Sequence, residues 1–203
     1  LIALDARVEL HPAAIADDLL PRTTIRPYPA QYEGTWIARD GTELTIRPIR
    51  PGDEPLMRTF HSTLSAESVY LRYAHAVRLS DRISHERLAR LCFIDYAHEM
   101  ALVVLRTRLS GEQELVGVAR LVMEHVRNEA EFALLIADSF QGRGLGTELL
   151  RRLIEIGRKE RVGRVVGYIL ADNRPMLDVC RRLGFRHEHD IGDPMVQSVI
   201  DLE

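Results

Sequence analysis

Three glycines fall within five residues in Gln141-Gly142-Arg143-Gly144-Leu145-Gly146-Thr147, between a stretch that reads as a strand and one that reads as a helix. That order suits a phosphate. Glycine lets the backbone come close, and the unpaired N–H groups of a helix's first turn point at the anion. The spacing narrows the guest. A dinucleotide fingerprint G-x-G-x-x-G beginning at Gly142 would need glycine at Thr147, and one beginning at Gly144 would need it at Leu149. A nucleoside triphosphate loop closes on Gly-Lys-Ser/Thr, and the only lysine, Lys159, lies well inside the following helix. A pyrophosphate of another kind is the expected guest. A loop that merely turned strand into helix would have little use for three glycines, each costly in backbone entropy.

The elements that must hold this loop are legible on both sides of it. Leu145, Leu149, Leu150, Leu153, Ile154 and Gly157 make one face of an amphipathic helix, with Glu148–Arg152 and Glu155–Lys159 as i,i+4 pairs on the other. Residues 165–170 form an almost unbroken apolar strand, as expected of one buried on both faces beside a parallel neighbour. Asp172 or Asn173 then caps a helix with Met176, Val179, Cys180 and Leu183 on its core face, ended by Gly184. Upstream, residues 35–38 and 43–48 flank Asp40-Gly41 as a hairpin. Pro51-Gly52-Asp53 caps a helix carrying Leu56, Phe60 and Leu64, a second helix runs from Ser65 towards Tyr73, and Ser84 caps a third with Leu88, Leu91 and Cys92. Strands follow at 100–106, 115–124 and 130–137, and two extended pieces, 186–190 and 195–202, finish the chain. Residues 1–10 read as a strand without a nearby partner, a sign of a cut from a longer polypeptide, and the prolines at 21, 27 and 29 mark a linker up to Gly34.

Composition excludes several classes. The 203 residues are 46% hydrophobic and 28% charged with a net charge of -3, which rules out a disordered or collagen-like chain and gives no basic field for nucleic acid. Cys92 and Cys180 are far apart and no C-x-x-C occurs, so reduced core thiols are expected rather than disulfides or a thiolate zinc site. His187-Glu188-His189 has a ligand-like spacing but no evident third ligand, so no metal is expected. No apolar run approaches the ~20 residues that cross a bilayer, and no leader opens the chain, so a cytoplasmic location and no membrane partner are expected.

Gln-x-x-Gly-x-Gly at 141–146, an amphipathic helix, a buried strand, Asn173 and a closing helix ending Arg-Leu-Gly-Phe at 182–185 together resemble the GNAT superfamily of acyl-CoA-dependent N-acyltransferases. The likeness runs from about Glu43 to the end. It implies an α/β (α+β) fold: a mixed, mostly antiparallel sheet with one splayed parallel strand pair, flanked by helices. It also implies acetyl-CoA, or another short acyl-CoA, as co-substrate. On that analogy the backbone of Leu134, Leu135 and Ile136 runs beside the pantetheine arm, the segment Gln141, Gly142, Arg143, Gly144, Leu145, Gly146 and Thr147 takes the pyrophosphate, and Asn173 lies near the pantetheine or thioester. Ile94-Asp95-Tyr96, Glu99 to Leu102, Ala130-Glu131-Phe132-Ala133 and the glycine loop resemble more narrowly the bacterial Pat protein lysine acetyltransferases, often fused behind an ADP-forming acyl-CoA synthetase-like region. Ala3 to Val8 is similar to the last strand of that region's ATP-grasp domain. The implied division is 1–20 as a remnant of that domain, 21–42 as linker and first hairpin strand, and 43–203 as the acyltransferase domain.

An N-acyltransferase must deprotonate an ammonium before it can attack a thioester. For lysine this costs about 4 kcal/mol near pH 7.4, at about 1.36 kcal/mol per pKa unit. A positioned carboxylate lowers the cost. Glu131 is the candidate base: it sits on the strand leading to the loop, sharing a face with Ala133 and Leu135, and a carboxylate embedded among Ala, Phe and Leu gains affinity for a proton unless paired. The Pat resemblance implies a catalytic glutamate at the same position. Asp95 and Glu99 are further carboxylates within reach of an acceptor site, Asp138 belongs to the turn before the loop, and the amide of Leu135 is a candidate oxyanion donor. Many GNAT enzymes place a tyrosine general acid on the last helix; here Cys180 or Arg181 stands there, so the general acid is unassigned. Tyr70, Tyr73 and Tyr96 are candidate walls of an acceptor pocket, and Arg151, Arg152 and Arg158 a solvated face that could steer CoA phosphates.

The expected function is transfer of an acetyl or short acyl group to a protein lysine, with an acyl-CoA synthetase as the acceptor implied by the Pat resemblance. The rivals are a small-amine N-acyltransferase and a non-catalytic acyl-CoA sensing module.

Overall fold

Strand β1 (Gly34–Ile37) and strand β2 (Glu43–Pro48) pair antiparallel around the turn at Gly41, whose φ of 82° the Asp-Gly sequence supplies at little steric cost. They begin the sheet in a computed structural model that describes residues 26–124, 126–190 and 192–202. The stretch read as a remnant of a preceding domain, 1–20, and the start of the linker lie outside the described residues. Strands β3 (Glu99–Thr107), β4 (Gln113–Glu124), β5 (Glu129–Ile136), β6 (Arg164–Leu170), β7 (Arg186–Glu188) and β8 (Met195–Asp201) complete a sheet in the order β1-β2-β3-β4-β5-β6-β8-β7. Every neighbouring pair is antiparallel except β5 and β6. This is the α+β fold with one parallel pair that the family resemblance implies.

Helices cover the two faces. Helix α1 (Glu54–Thr63) buries Met57, Phe60 and His61. After it come α2 (Ala66–Tyr73), the short α3 (Leu79–Arg82) and α4 (His85–Cys92). On the other face lie α5 (Leu145–Lys159), with Leu149, Leu150 and Leu153 wholly buried, and α6 (Arg174–Arg182). Each of those leucines contributes roughly 1.5–3 kcal/mol by leaving water. Ser65 caps α2 as expected, its hydroxyl accepting from Ser68 N–H at 3.1 Å. Two other cap expectations are corrected. Asp53 does not cap α1, because its carboxylate is taken by the Arg47 guanidinium (2.7 and 2.8 Å) and by Arg50 N–H (2.7 Å) in a buried pair. Ser84 does not cap α4, because its hydroxyl donates back to the Asp81 carbonyl.

The parallel pair is short, and its ending has a visible cause. Only Glu129–Glu131 of β5 meet Arg164–Val166 of β6, although β5 continues to Ile136 and β6 to Leu170. At the next step the ring of Phe132 occupies the space beside Gly167: a Cβ there would stand 2.3 Å from Phe132 Cε1. Phe185, the last residue of the Arg-Leu-Gly-Phe ending, packs edge-on against Phe132 at 5.5 Å between centroids. This aromatic pair stands as a wedge where pairing stops, and past it β5 and β6 present backbone edges that no described strand covers.

Candidate active site

The glycine loop closes the open end of this splay. A short 3-10 turn, Asp138–Phe140, follows β5, and Gln141 leaves it in extended conformation. Gly142 and Gly144 then adopt φ of 72° and 91°, and Gly144 is the N-cap of α5 with no side-chain capping hydrogen bond. An uncapped first turn leaves the N–H groups of Leu145, Gly146 and Thr147 to an outside acceptor. A Cβ at Gly142 would meet nothing within 4 Å, and one at Gly146 would stand 3.4 Å from Ile136 Cδ1. The loop therefore lies against the end of β5 with bare backbone facing outward, a cradle that fits a pyrophosphate. Side chains brace it from behind. Gln141 Nε2 donates to Ser68 Oγ (2.9 Å) and to the Ile136 carbonyl (3.1 Å). Arg143 pairs with Asp40 in the hairpin turn and lies 4.8 Å from the centre of the Phe140 ring.

Hydrogen-bond alternation decides which β5 amides face the splay. Ala137 N–H donates to the Val116 carbonyl at 2.9 Å, continuing the β4–β5 ladder. In an antiparallel pair every second residue turns to its neighbour, so Leu135 and Ala133 turn their amides to β4 while Leu134 and Ile136 turn theirs to the open side. The Leu135 amide, expected as an oxyanion donor, therefore turns to β4 and away from the splay.

Glu131 stands at the last paired position, opposite Val166 and immediately before the open stretch. It is exposed, which corrects the expectation of a carboxylate embedded in apolar side chains: the face of the sheet is uncovered at this point. Alternation places Tyr168, half exposed and accepting from Gln197 Nε2 at 3.4 Å, on the same face of β6. Next to them, α1, α2, α4, β4 and β5 enclose a crevice of about 60 Å³ lined by His61, Arg72, Tyr73, Arg87 and Arg120 together with Ala133, Leu134 and Leu135. Burial lowers the affinity of the Arg72 guanidinium for its proton, as do the charges of Arg120 and Arg87, while Tyr73 and Glu131 act the other way. Burial first, then the charges of Arg82, Arg87, Arg120 and Arg72, push the His61 imidazole down to about 4. His61 is thus neutral near pH 7.

Tyr73 lines the crevice; Tyr96 does not, its hydroxyl donating to the Ile49 carbonyl at 2.6 Å, and Tyr70 is exposed. Glu99 accepts from Arg120, and Asp95 caps its own loop through Ala97 N–H and His98. Asn173 is the N-cap of α6, its Oδ1 accepting from Met176 N–H at 3.2 Å. Cys180 is fully buried, and burial pushes its thiol up to about 12 against the opposing effect of Ser198; Arg181 pairs with Asp178 on the surface. Neither supplies a proton to the splay. His187 has both ring nitrogens engaged, by Ser198 Oγ and the Leu177 carbonyl, and His189 bonds the Asp193 carbonyl. Among the described residues no group of three His, Cys, Asp or Glu is placed to hold a metal, and no helix is long and apolar enough to cross a membrane. Arg151 and Arg152 pair with Glu148. Sequence reasoning missed His61, Arg72, Arg87 and Arg120. Only Arg120 carried a signal, as a lone cation in the apolar strand Leu115–Met123.

Comparison with known proteins matches residues 43–186 to the family described as acetyltransferase (GNAT) domain. The chain is 34% identical over 154 residues to acetyltransferase PA5475 of Pseudomonas aeruginosa, covering 76% of this chain and 81% of that protein. It is 32% identical over 163 residues to acetyltransferase Pat of Mycolicibacterium smegmatis, covering 79% of this chain but 44% of that protein, less than half its length. Among solved structures, the GNAT domain of S. lividans PAT superposes with a TM-score of 0.76 at 26% identity over 87% of this chain and 100% of that one. Mycobacterium smegmatis RimJ in complex with CoA-disulfide shares the fold, with a TM-score of 0.63 at 17% identity over 86% of this chain and 90% of that one.

Proposed function

Since this chain belongs to the GNAT acetyltransferase family and resembles the GNAT domain of Pat-type acetyltransferases, we propose that it moves an acetyl group from acetyl-CoA to a lysine side chain of a protein, by direct attack within a ternary complex. The observation that carries the reading is the placement of Glu131 at the root of a strand splay whose open end is closed by an uncapped, glycine-opened helix. Amides of Gly142 to Thr147 hold the pyrophosphate, and the free backbone edge of Leu134–Ile136 receives the pantetheine arm. The acyl-CoA supplies the activated thioester.

On this reading Glu131 accepts the proton of the incoming ammonium, directly or through one water, as a general base does. The splay-facing amide of Leu134, the nearer of the two to Glu131, stabilises the oxyanion of the tetrahedral intermediate, and that of Ile136 is left to the pantetheine arm. A thiol with an ordinary pKa near 8.5 departs without an acid from α6, in keeping with the buried Cys180 and the surface-paired Arg181.

Incubation of the chain with acetyl-CoA and a mixture of candidate proteins, an acyl-CoA synthetase among them, followed by mass spectrometry, tests the acceptor class. Acetyl-lysine on intact proteins, with kcat/KM above that for free amines, is the expected result. Turnover confined to free amines would overturn the protein-lysine reading, and no turnover on any amine would overturn the enzyme itself.

A further inference from the structure

The crevice beside Glu131 holds more positive charge than its own carboxylates balance. Arg72, Arg87 and Arg120 line it. Arg120 is engaged by Glu99 and the Leu91 carbonyl. Arg72 and Arg87 form no ion pair with any described carboxylate; both instead lie over the ring of Tyr73, at 5.2 and 5.4 Å from its centre. Arg87 Nε is buried without a hydrogen-bond partner. A second observation is independent of the arginines. His61, 2% exposed and lining the same crevice, has an Nδ1 with no partner, and a buried polar atom left alone normally signals a missing ligand or water.

This charge matters for the acceptor. An ammonium approaching Glu131 past unpaired guanidinium groups is repelled, at a cost that grows as water is excluded. An anion entering with the acceptor cancels that field and satisfies the orphaned donors. The space is small: one water needs roughly 10–15 Å³ by this measure, so 60 Å³ holds a carboxylate and little else. Guanidinium groups match carboxylate oxygens in pairs, and neutral His61 can donate through Nδ1. Resting on the acyltransfer reading above, we propose that the crevice formed by His61, Arg72 and Arg87 is a carboxylate subsite that selects acceptors bearing an acid next to the amine. In a protein that acid is an Asp or Glu adjoining the target lysine; in a small acceptor it is an α-carboxylate.

The test uses two short peptides, one with Glu on both sides of a single lysine and one with Gln in those places. The expected result is a kcat/KM for the Glu peptide higher by on the order of tenfold or more, the size of one charge-assisted hydrogen bond. That ratio falls to near one in Arg87→Gln and is largely kept in Arg87→Lys. A ratio near one in the unaltered protein, or a ratio that Arg87→Gln leaves in place, overturns the subsite. Free lysine against Nα-acetyl-lysine amide separates the sources: preference for free lysine that Arg87→Gln removes assigns the subsite to an α-carboxylate. Should no amine be acetylated, the acyltransfer reading fails by itself, and calorimetry with glutarate still decides the subsite. Glutarate binding that Arg87→Gln abolishes supports it, and binding equal in both proteins or absent from both overturns it.

Discussion

The carboxylate of Asp138 accepts from both the backbone N–H of Ser65, at 3.0 Å, and the Ser65 hydroxyl, so the cap of α2 is tied to the turn that feeds the glycine loop. Ser68 Oγ adds a third bond at 2.8 Å and also accepts from Gln141. Burial pushes the Asp138 carboxyl up, but the Ser65 and Ser68 bonds outweigh it and hold it below its ordinary value. Its contribution to stability is therefore present above the ordinary carboxylate range and lost as pH falls through the depressed value. Asp138→Ala should cost roughly 1–3 kcal/mol in urea denaturation at pH 7. It should also raise KM for acetyl-CoA severalfold with a smaller change in kcat, because the loop loses its brace and Glu131 does not. Unchanged stability together with unchanged KM would show that the loop is anchored elsewhere.

Two glycines should fail differently. At Gly167 a Cβ would collide with the Phe132 ring at 2.3 Å, so Gly167→Ala must displace the aromatic wedge and should cost roughly 1–3 kcal/mol or more. At Gly144 the φ of 91° strains any L side chain, and the nearest atom to an added Cβ is the movable Arg39 Nε at 3.3 Å. Gly144→Ala should cost only about 1 kcal/mol yet weaken CoA binding in calorimetry by roughly tenfold. If Gly144→Ala bound CoA as the unaltered chain does, the amides of α5 would not be the pyrophosphate site.

How much of this was legible in the sequence follows from the range of the forces involved. The loop, α5 and the β6–α6 unit could be read because their signals are local: glycine spacing, a four-residue apolar period, Asn173 before a helix. The exposure of Glu131 could not, since alternation says which residues share a face and nothing about what covers it. Asp53 looked like a cap from its position before a helix, but the chain brings Arg47 within 2.7 Å and the stronger partner takes the carboxylate. Arg72 and Arg87 sit on helices where arginine ordinarily faces solvent. Only packing against β4 and β5 turns them onto one crevice.

His61 gives the fold a defined response to acid. Its imidazole, lowered to about 4 in the native state by burial and four neighbouring arginines, sits near 6.5 in the unfolded chain. Between those values the unfolded chain binds a proton that the native one does not, so stability falls as pH drops from 6.5 towards 4. At about 1.36 kcal/mol per unit the full effect approaches roughly 3 kcal/mol. Urea midpoints measured at pH 6.5 and 4.5 should differ much less in His61→Gln than in the unaltered protein. An equal difference in both would mean that the acid response lies in other groups.

Replacement of Glu131 by Gln, with turnover and CoA affinity measured on the same preparation, tests the central claim most directly. Loss of the base should lower kcat/KM by roughly 10²–10⁴-fold near neutral pH. The deficit should shrink towards pH 10, where a substantial share of the lysine amine is already neutral, and CoA affinity should stay within about twofold, since Glu131 lies at the opposite end of the splay from the loop amides. Turnover near that of the unaltered chain at pH 7 would contradict the account.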